Sequence, residues 1–102
     1  MKKTLEDFID ALENDEFKKA HEIMEKKWKE YKKQNHPLTK LLKGFINGAS
    51  AFELVRKNNF EGAKRLWNTY EKNLDYLTKE IEEYNLFIKA NTKLQKLKED
   101  RL

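Results

Sequence analysis

Three side chains in the sequence have types and spacing that suit chemistry. His21 and Glu25 are four residues apart, so on a helix their side chains meet on one face, and Glu22 lies about 100° further round. The pattern His-Glu-x-x-Glu differs from the metal-binding helix pattern His-Glu-x-x-His by a carboxylate in place of the second imidazole. One hypothesis is therefore a divalent metal held by His21 and Glu25, with hydrolysis as the reaction. Zinc needs three protein ligands, and the only other histidine is His36.

Two other roles for this group stay open. His21 lies at the margin of an apolar stripe, where a partly buried histidine with a hydrogen bond to Glu25 would be structural. Alternatively, the polar atoms line a ligand pocket together with neighbouring residues of the second and third predicted helices. That set of candidate ligand-binding residues is His21, Glu22, Glu25, Trp28 and Asn47. A structural role is the favoured one, because short motifs match by chance.

The same segment is the most basic part of the chain. Residues 17–43 hold nine lysines against three glutamates, whereas residues 1–16 hold two lysines against six acids. Nucleic-acid binding by the second helix is a third hypothesis, because the phosphates of DNA and RNA attract lysines that are clustered on one helix. With only three arginines in the chain, a solvated helix surface is favoured over a phosphate reader. The candidate nucleic-acid residues are Lys18, Lys19, Lys26, Lys29 and Lys33.

The elements that position these residues are predicted to be helices throughout. The 102 residues include three Gly, one Pro and one Val, and Lys, Glu, Leu and Ala are abundant, so the composition favours an all-α fold. Turn residues divide the chain into about five helices. We expect one domain over 1–102, with two helix hairpins around a central buried helix and a C-terminal helical cap.

Individual boundaries follow from capping residues and apolar periodicity. The predicted helices run from Thr4 to about Glu13, from Asn14 and Asp15 to before Gln34, over Leu38–Lys57 after Pro37, from Phe60 to about Leu77, and over Thr78–Glu99 with a bend near Asn85.

The third helix is apolar or small almost all round, which predicts burial on every side, and its Gly44 and Gly48 predict close approach by a neighbouring helix. The second and fourth helices begin alike, because Phe17 and Ala20 recur 43 positions later as Phe60 and Ala63. We expect both Phe side chains to fill the base of their hairpins. Trp28 and Trp67 both lie on apolar faces and are expected in the core.

Three stretches resemble the bacterial and archaeal family called domain of unknown function 309. They are Phe17–Trp28, Leu42–Asn47 and Asn58–Ala63. Members carry Ala-His-Glu followed by Glu and Trp, a Gln-Gly-aliphatic-Ile-Gln helix, and a Gly-Asn turn before Gly-Ala. In this sequence Lys43 and Asn47 stand in place of the two glutamines, and Asn58 in place of the turn glycine. Leu54 stands where many members have a histidine. The resemblance implies a compact all-helical fold and brings no established activity.

Several classes of function are disfavoured by composition. The chain has no cysteine, so it has neither disulfides nor thiolate metal sites, and no apolar run approaches the twenty residues of a membrane span. Its first residues turn acidic at once, unlike a signal peptide. We therefore expect a soluble cytoplasmic protein without a cofactor, and the resemblance implies a prokaryotic one. The leading prediction is a non-enzymatic interaction module, pairing with itself or another protein through apolar surface of its first and fifth helices.

Overall fold

Five α-helices account for most of the chain in the computed structural model, which describes all 102 residues. The helices are α1 (Lys2–Glu13), α2 (Phe17–Lys33), α3 (Thr39–Arg56), α4 (Phe60–Asn73) and α5 (Tyr84–Arg101), with one 3₁₀ turn over Leu74–Tyr76. There is no strand, and the predicted all-α class is confirmed. The helices α1 and α2 form one hairpin and α3 and α4 a second, while α5 packs against α1. None of the helices is long and apolar enough to cross a membrane.

Phe45 of α3 is the centre of the core. Its ring is fully buried and contacts Phe8 of α1, Tyr70 of α4 and Phe87 of α5, with centroid distances of 6.0, 5.3 and 5.5 Å. The ring of Phe52, two turns further along α3, contacts Phe17 of α2 at 5.6 Å. Aromatic rings on α3 therefore contact all four other helices, which confirms that α3 is central and buried.

The close approach predicted for the glycines of α3 is present. A Cβ atom added to Gly44 would lie 2.6 Å from the Cβ of Asn73 on α4. At Gly48 the added atom would lie 3.2 Å from the ring of Tyr70 and 3.1 Å from Leu94. Both contacts lie at the interfaces of α3 with α4 and α5, so the missing side chains allow these helices to approach closely.

The first three helices end in the same backbone motif. At the end of α1 the N–H of Asp15 donates to the carbonyl of Leu12, and the N–H of Glu16 donates to that of Ala11. This pair of bonds is the Schellman motif, which places one residue in the left-handed conformation. The same two bonds recur after α2 and α3. The left-handed residues are Asp15, Asn35 and Asn58, with φ angles of 57°, 50° and 59°.

The turns correct several expectations about helix starts. Thr4 caps nothing, since α1 already begins at Lys2, and Glu16 rather than Asn14 or Asp15 is the N-cap of α2. Asn59 does cap α4, because its side chain accepts from the N–H of Gly62 at 3.0 Å.

The Phe residues that begin α2 and α4 differ in burial, although the turns before them have similar backbone angles. Phe17 is buried, whereas Phe60 is 46% exposed, so the predicted role of Phe60 as a filler of the hairpin base is wrong.

The C-terminal part also differs from the prediction. α4 ends at Asn73, and the fifth helix begins at Tyr84 rather than near Thr78. Glu83, at the N-cap, has a φ of 65°, a left-handed conformation that a continuous helix would not permit. The segment predicted as one helix with a bend near Asn85 is thus a loop followed by a single helix. Arg101 at the end of α5 donates to both carboxylate oxygens of Asp15, at 3.0 and 2.9 Å, so this end is tied to the first hairpin.

Substitution of Asn58 tests the importance of the left-handed turn residue. We expect Asn58→Ala to lower the free energy of unfolding by about 1 kcal/mol, because a Cβ without a local hydrogen-bonding group is disfavoured at positive φ. Asn58→Gly should unfold at the same urea concentration as the natural sequence or a higher one, since glycine adopts this conformation freely. Equal urea midpoints for the Ala and Gly variants would contradict this account.

Candidate functional site

His21 connects two helices. Its Nδ1 lies 2.9 Å from Oε1 of Glu53 on α3, and its Nε2 lies 3.2 Å from Oε2 of Glu25, one turn further along α2. All three side chains are partly buried, with exposed fractions of 28% for His21, 37% for Glu25 and 21% for Glu53. The pairing of His21 with Glu25 agrees with the predicted spacing, whereas Glu53 was not predicted.

Both ring nitrogens of His21 are engaged by acceptors. An ionised carboxylate only accepts hydrogen bonds, and a neutral imidazole carries a single N–H. The two hydrogen bonds therefore form together when His21 is the doubly protonated imidazolium, which carries a positive charge between two negative ones. In that state the ring has no free lone pair, so it neither coordinates a metal nor accepts a proton. This arrangement suits a brace between α2 and α3.

Acid titration tests the brace. The hydrogen bond from His21 is the largest cause that lowers the pKa of Glu25, with Lys29 and Lys43 adding to it. A carboxyl whose pKa is lowered by folding stabilises the fold above its unfolded pKa of about 4.3 and loses that contribution as the pH falls further. We expect Glu25→Gln to be less stable than the natural sequence at pH 7. The two urea midpoints should approach each other as the pH falls below about 4, and a difference that is constant with pH would contradict the role of ionised Glu25.

The other predicted ligand residues are not joined to this pair. Glu22 is exposed, and Asn47 makes no side-chain hydrogen bond to His21 or Glu25. Trp28 packs against the core but is only partly buried, so it lies at the edge of the core and not within it. Its ring instead lies under two ammonium groups, Lys43 Nζ at 4.5 Å and Lys32 Nζ at 4.9 Å. The structure thus gathers His21, Glu25 and Glu53 rather than the predicted set.

Metal-ligand geometry is not formed at this cluster. Nowhere in the chain do three His, Cys, Asp or Glu side chains lie together so that they could hold a metal ion. His36, the other histidine, is stacked on Tyr31 with ring centroids 3.9 Å apart, and its Nδ1 accepts from the N–H of Leu38 at 3.0 Å. The ring of His36 is therefore fixed in the turn between α2 and α3. A divalent metal at His21 and Glu25 stays a prediction.

A cavity of about 380 Å³ lies elsewhere, beside the turn between α2 and α3. Its walls include Tyr31, His36 and Ile81, and two acidic side chains, Glu82 and Glu83, reach it from the loop before α5. None of the five candidate ligand-binding residues contributes to its lining. The motif-based prediction of a ligand site therefore points to a different part of the surface from this concavity.

A second polar cluster between α4 and α5 was missed by sequence reasoning. The Tyr70 hydroxyl donates to Oδ1 of Asn91 at 2.6 Å, and burial raises the pKa of this phenol far above its ordinary value. The indole N–H of the buried Trp67 donates to Oε1 of Glu71 at 3.0 Å, which gives it the partner that a core tryptophan needs. The four-residue spacing of Trp67 and Glu71 was a usable signal. The hydrogen bond from Tyr70 to Asn91 joins residues 21 positions apart, and no local spacing predicts it.

The five candidate lysines lie on the outward surface of α2. All of them are exposed, and their positions fall within an arc of about 100° that is opposite the buried side of the helix. Lys29 lies 3.7 Å from Glu25. The other four have no carboxylate within 4.0 Å and extend over about 22 Å of helix, namely Lys18, Lys19, Lys26 and Lys33. Glu22 is the one acid within this row.

Acidic residues of α1 lie beside this row. Asp10 and Lys19 line one shallow groove between α1 and α2, and Asp7 and Lys26 line a second, with Ile23 in both. We call this surface, formed by the outward sides of α1 and α2, the α1–α2 face. Asp10 has no cation within 4.0 Å, while Asp7 pairs with Lys3 at 2.9 Å. Acids on one helix and bases on the next are thus separated by a groove.

Comparison with known proteins places the chain in a family. No curated protein and no solved structure matches it. A family model described as Domain of unknown function (DUF309) matches residues 5–66, which is more than half of the chain. The matched region begins in α1 and ends in α4, so it includes the His21 brace, most of the α1–α2 face and the whole of α3. The chain therefore belongs to the DUF309 family.

Proposed function

We propose that this protein is a small non-enzymatic interaction module that binds acidic protein surface through the lysines of the α1–α2 face. The observation that carries the proposal is that Lys18, Lys19, Lys26 and Lys33 lie exposed on one side of α2 without any carboxylate within 4.0 Å. Lysines arranged in this way attract a complementary negative surface and accelerate its association. The proposal places the module in the cytoplasm.

The site chemistry favours binding over catalysis. The only motif with catalytic spacing, at His21, is engaged by carboxylates on both ring nitrogens and joins two helices. A general base must point a ring nitrogen at a substrate proton, whereas both nitrogens of His21 lie within hydrogen-bond distance of carboxylates of the protein itself. The exposed lysines of α2 that lack a carboxylate partner support a different function, which is the recognition of a negatively charged surface.

The apolar surface first expected to mediate association is occupied within the protein. Leu5 and Phe8 of α1 are fully buried, and so are Phe87 and Leu94 of α5, because these two helices pack on each other. Large exposed apolar side chains are limited to Phe60, Tyr76 and Ile88, which lie on three different elements. The charged α1–α2 face is therefore a better contact surface than α1 with α5.

A labelled acidic peptide tests the proposal. A decamer of glutamate should bind the natural protein with an affinity that falls as salt rises, and Lys19→Glu with Lys26→Glu should weaken it at least tenfold. A matched control, Lys64→Glu with Lys72→Glu on α4, makes the same change of net charge on another surface. Equal weakening by both pairs would show attraction by net charge alone and would overturn the proposal.

Nucleic acid is a second candidate, favoured by the exposure of all five candidate lysines. A mixed-sequence RNA and a DNA duplex in the same assay distinguish it. The lysine row of α2 holds no arginine, the residue that pairs with phosphate through two hydrogen bonds, so we expect nucleic acid to bind more weakly than the peptide. Tighter binding of RNA or DNA, lost in the Lys19 and Lys26 variant, would replace the first proposal with this one.

A further inference from the structure

The α1–α2 face carries acids and lysines on opposite sides of the same two grooves. Asp10 lines the same groove as Lys19, and Asp7 lines the same groove as Lys26. Asp7 lines both grooves, so along the helix axis it lies between the levels of Lys19 and Lys26. The acids are on α1 and the lysines are on α2. Yet Lys19 and Lys26 have no carboxylate within 4.0 Å, so neither acid satisfies its neighbour across the groove within one molecule.

A surface of this kind is complementary to itself. A two-fold axis parallel to the helices and midway between them stacks α1 of each copy on α2 of the other without any change of height. Asp10 of one copy then faces Lys19 of its partner, and Asp7 lies between the partner's Lys19 and the partner's Lys26. An acidic partner of another kind would meet the lysines favourably but would also meet the carboxylates of α1. A second copy meets both charges with the opposite one.

We propose that the preferred partner of the α1–α2 face is a second copy of this chain, joined about that two-fold axis. This inference rests on the proposed function, because it identifies the partner of the same surface. Ile23 lies in both grooves and is partly buried, so it gives each copy an apolar point at the centre of a charged surface. Two copies of Ile23 near the axis would then contact each other.

The size of the face sets the expected strength. α1 has 12 residues and is about 18 Å long, and two packed helices present a width of about 20 Å. Each copy would therefore bury roughly 400 Å², about half of what each partner contributes to a stable interface. The dimer should be weak and held largely by charge. We expect it near 50 mM salt at high protein concentration and not at 500 mM salt, where charges are screened within about 4 Å.

Charge exchange gives the decisive experiment, measured by sedimentation equilibrium at 50 mM salt. One variant carries Lys19→Glu with Lys26→Glu, so both helices of its face are acidic. The other carries Asp7→Lys with Asp10→Lys, so both are basic. Each variant alone should be monomeric because like charges meet, whereas an equimolar mixture should form a one-to-one dimer in which every contact is again between opposite charges.

Controls make the result specific to this face. The variant Lys64→Glu with Lys72→Glu should dimerise like the natural protein, and mixing it with the basic variant should give a dimer at least tenfold weaker than the acidic variant gives. Circular dichroism checks that each variant is folded. A natural protein that stays monomeric at 50 mM salt, or mixtures that associate equally with either acidic variant, would overturn the two-fold dimer. The glutamate-decamer assay tests the proposed function independently of this outcome, because it measures binding of the peptide and not of a second copy.

Discussion

Phe45→Ala should destabilise the protein by about 3–5 kcal/mol, the usual range for removal of a fully buried aromatic ring. The ring contacts Phe8, Tyr70 and Phe87, so its removal opens a space at the point where α1, α3, α4 and α5 meet. A protein of this size has a total stability of about 5–15 kcal/mol, so the variant would keep a small margin at best. The melting temperature should fall by about 15–30 °C.

Phe60→Ala is the matched control, because the same atoms are removed from a ring that is 46% exposed. We expect a loss of no more than about 1 kcal/mol there. Urea unfolding followed by circular dichroism measures both variants. If Phe45→Ala were within 1 kcal/mol of the natural protein, or if Phe60→Ala cost as much, the assignment of α3 as the centre of the core would be contradicted.

Gly44→Ala is the second substitution with a large expected effect. Alanine has the higher helix propensity by about 1 kcal/mol, so on an exposed helix this change would stabilise. Here the new Cβ would lie 2.6 Å from the Cβ of Asn73, and neither atom can rotate away. The helices α3 and α4 must separate, and we expect a net loss of about 2 kcal/mol from overpacking. The melting temperature should fall by about 10 °C.

A rescue distinguishes the steric cause from other effects. Asn73→Gly removes the atom that the new methyl group would meet, and the single variant measures the cost of the glycine itself, about 1 kcal/mol at a residue with helical backbone angles. Combined with Gly44→Ala it should restore most of the lost stability, as thermal unfolding would show. A double variant whose losses simply add would contradict close contact of α3 and α4 as the reason for this glycine.

The sequence predicted those parts of the fold that depend on local periodicity. Phe8, Phe45 and Phe52 lie on repeated apolar positions, and repetition over several turns reports which side of a helix is buried. Phe60 failed because it is the first residue of α4, where one turn of pattern does not define a side. The start of α5 failed for a related reason, since Ile81 has a helical spacing from Tyr84 but belongs to a loop that ends at left-handed Glu83.

The candidate site was predictable only within one helix. The contact of His21 with Glu25 follows from their four-residue spacing, and the outward position of Lys26 and its neighbours follows from the same geometry. Glu53 completes the brace from 32 positions away. It is the one acid of α3, but no local spacing indicates which helix its carboxylate contacts. The position of Asp10 across a groove from Lys19 depends on how α1 and α2 pack, which local spacing does not encode.

Mapping of amide chemical shifts tests the central claim that the α1–α2 face is the contact surface. In spectra of ¹⁵N-labelled natural protein titrated with the glutamate decamer at low salt, we predict that the largest changes fall on residues 18–33 of α2 and follow the exposed lysines. Amides around Glu53 on α3, behind the His21 brace, should change little. The largest changes at Glu53 and Asn47 instead, with Lys19 and Lys26 unmoved, would contradict the account and return the functional site to His21.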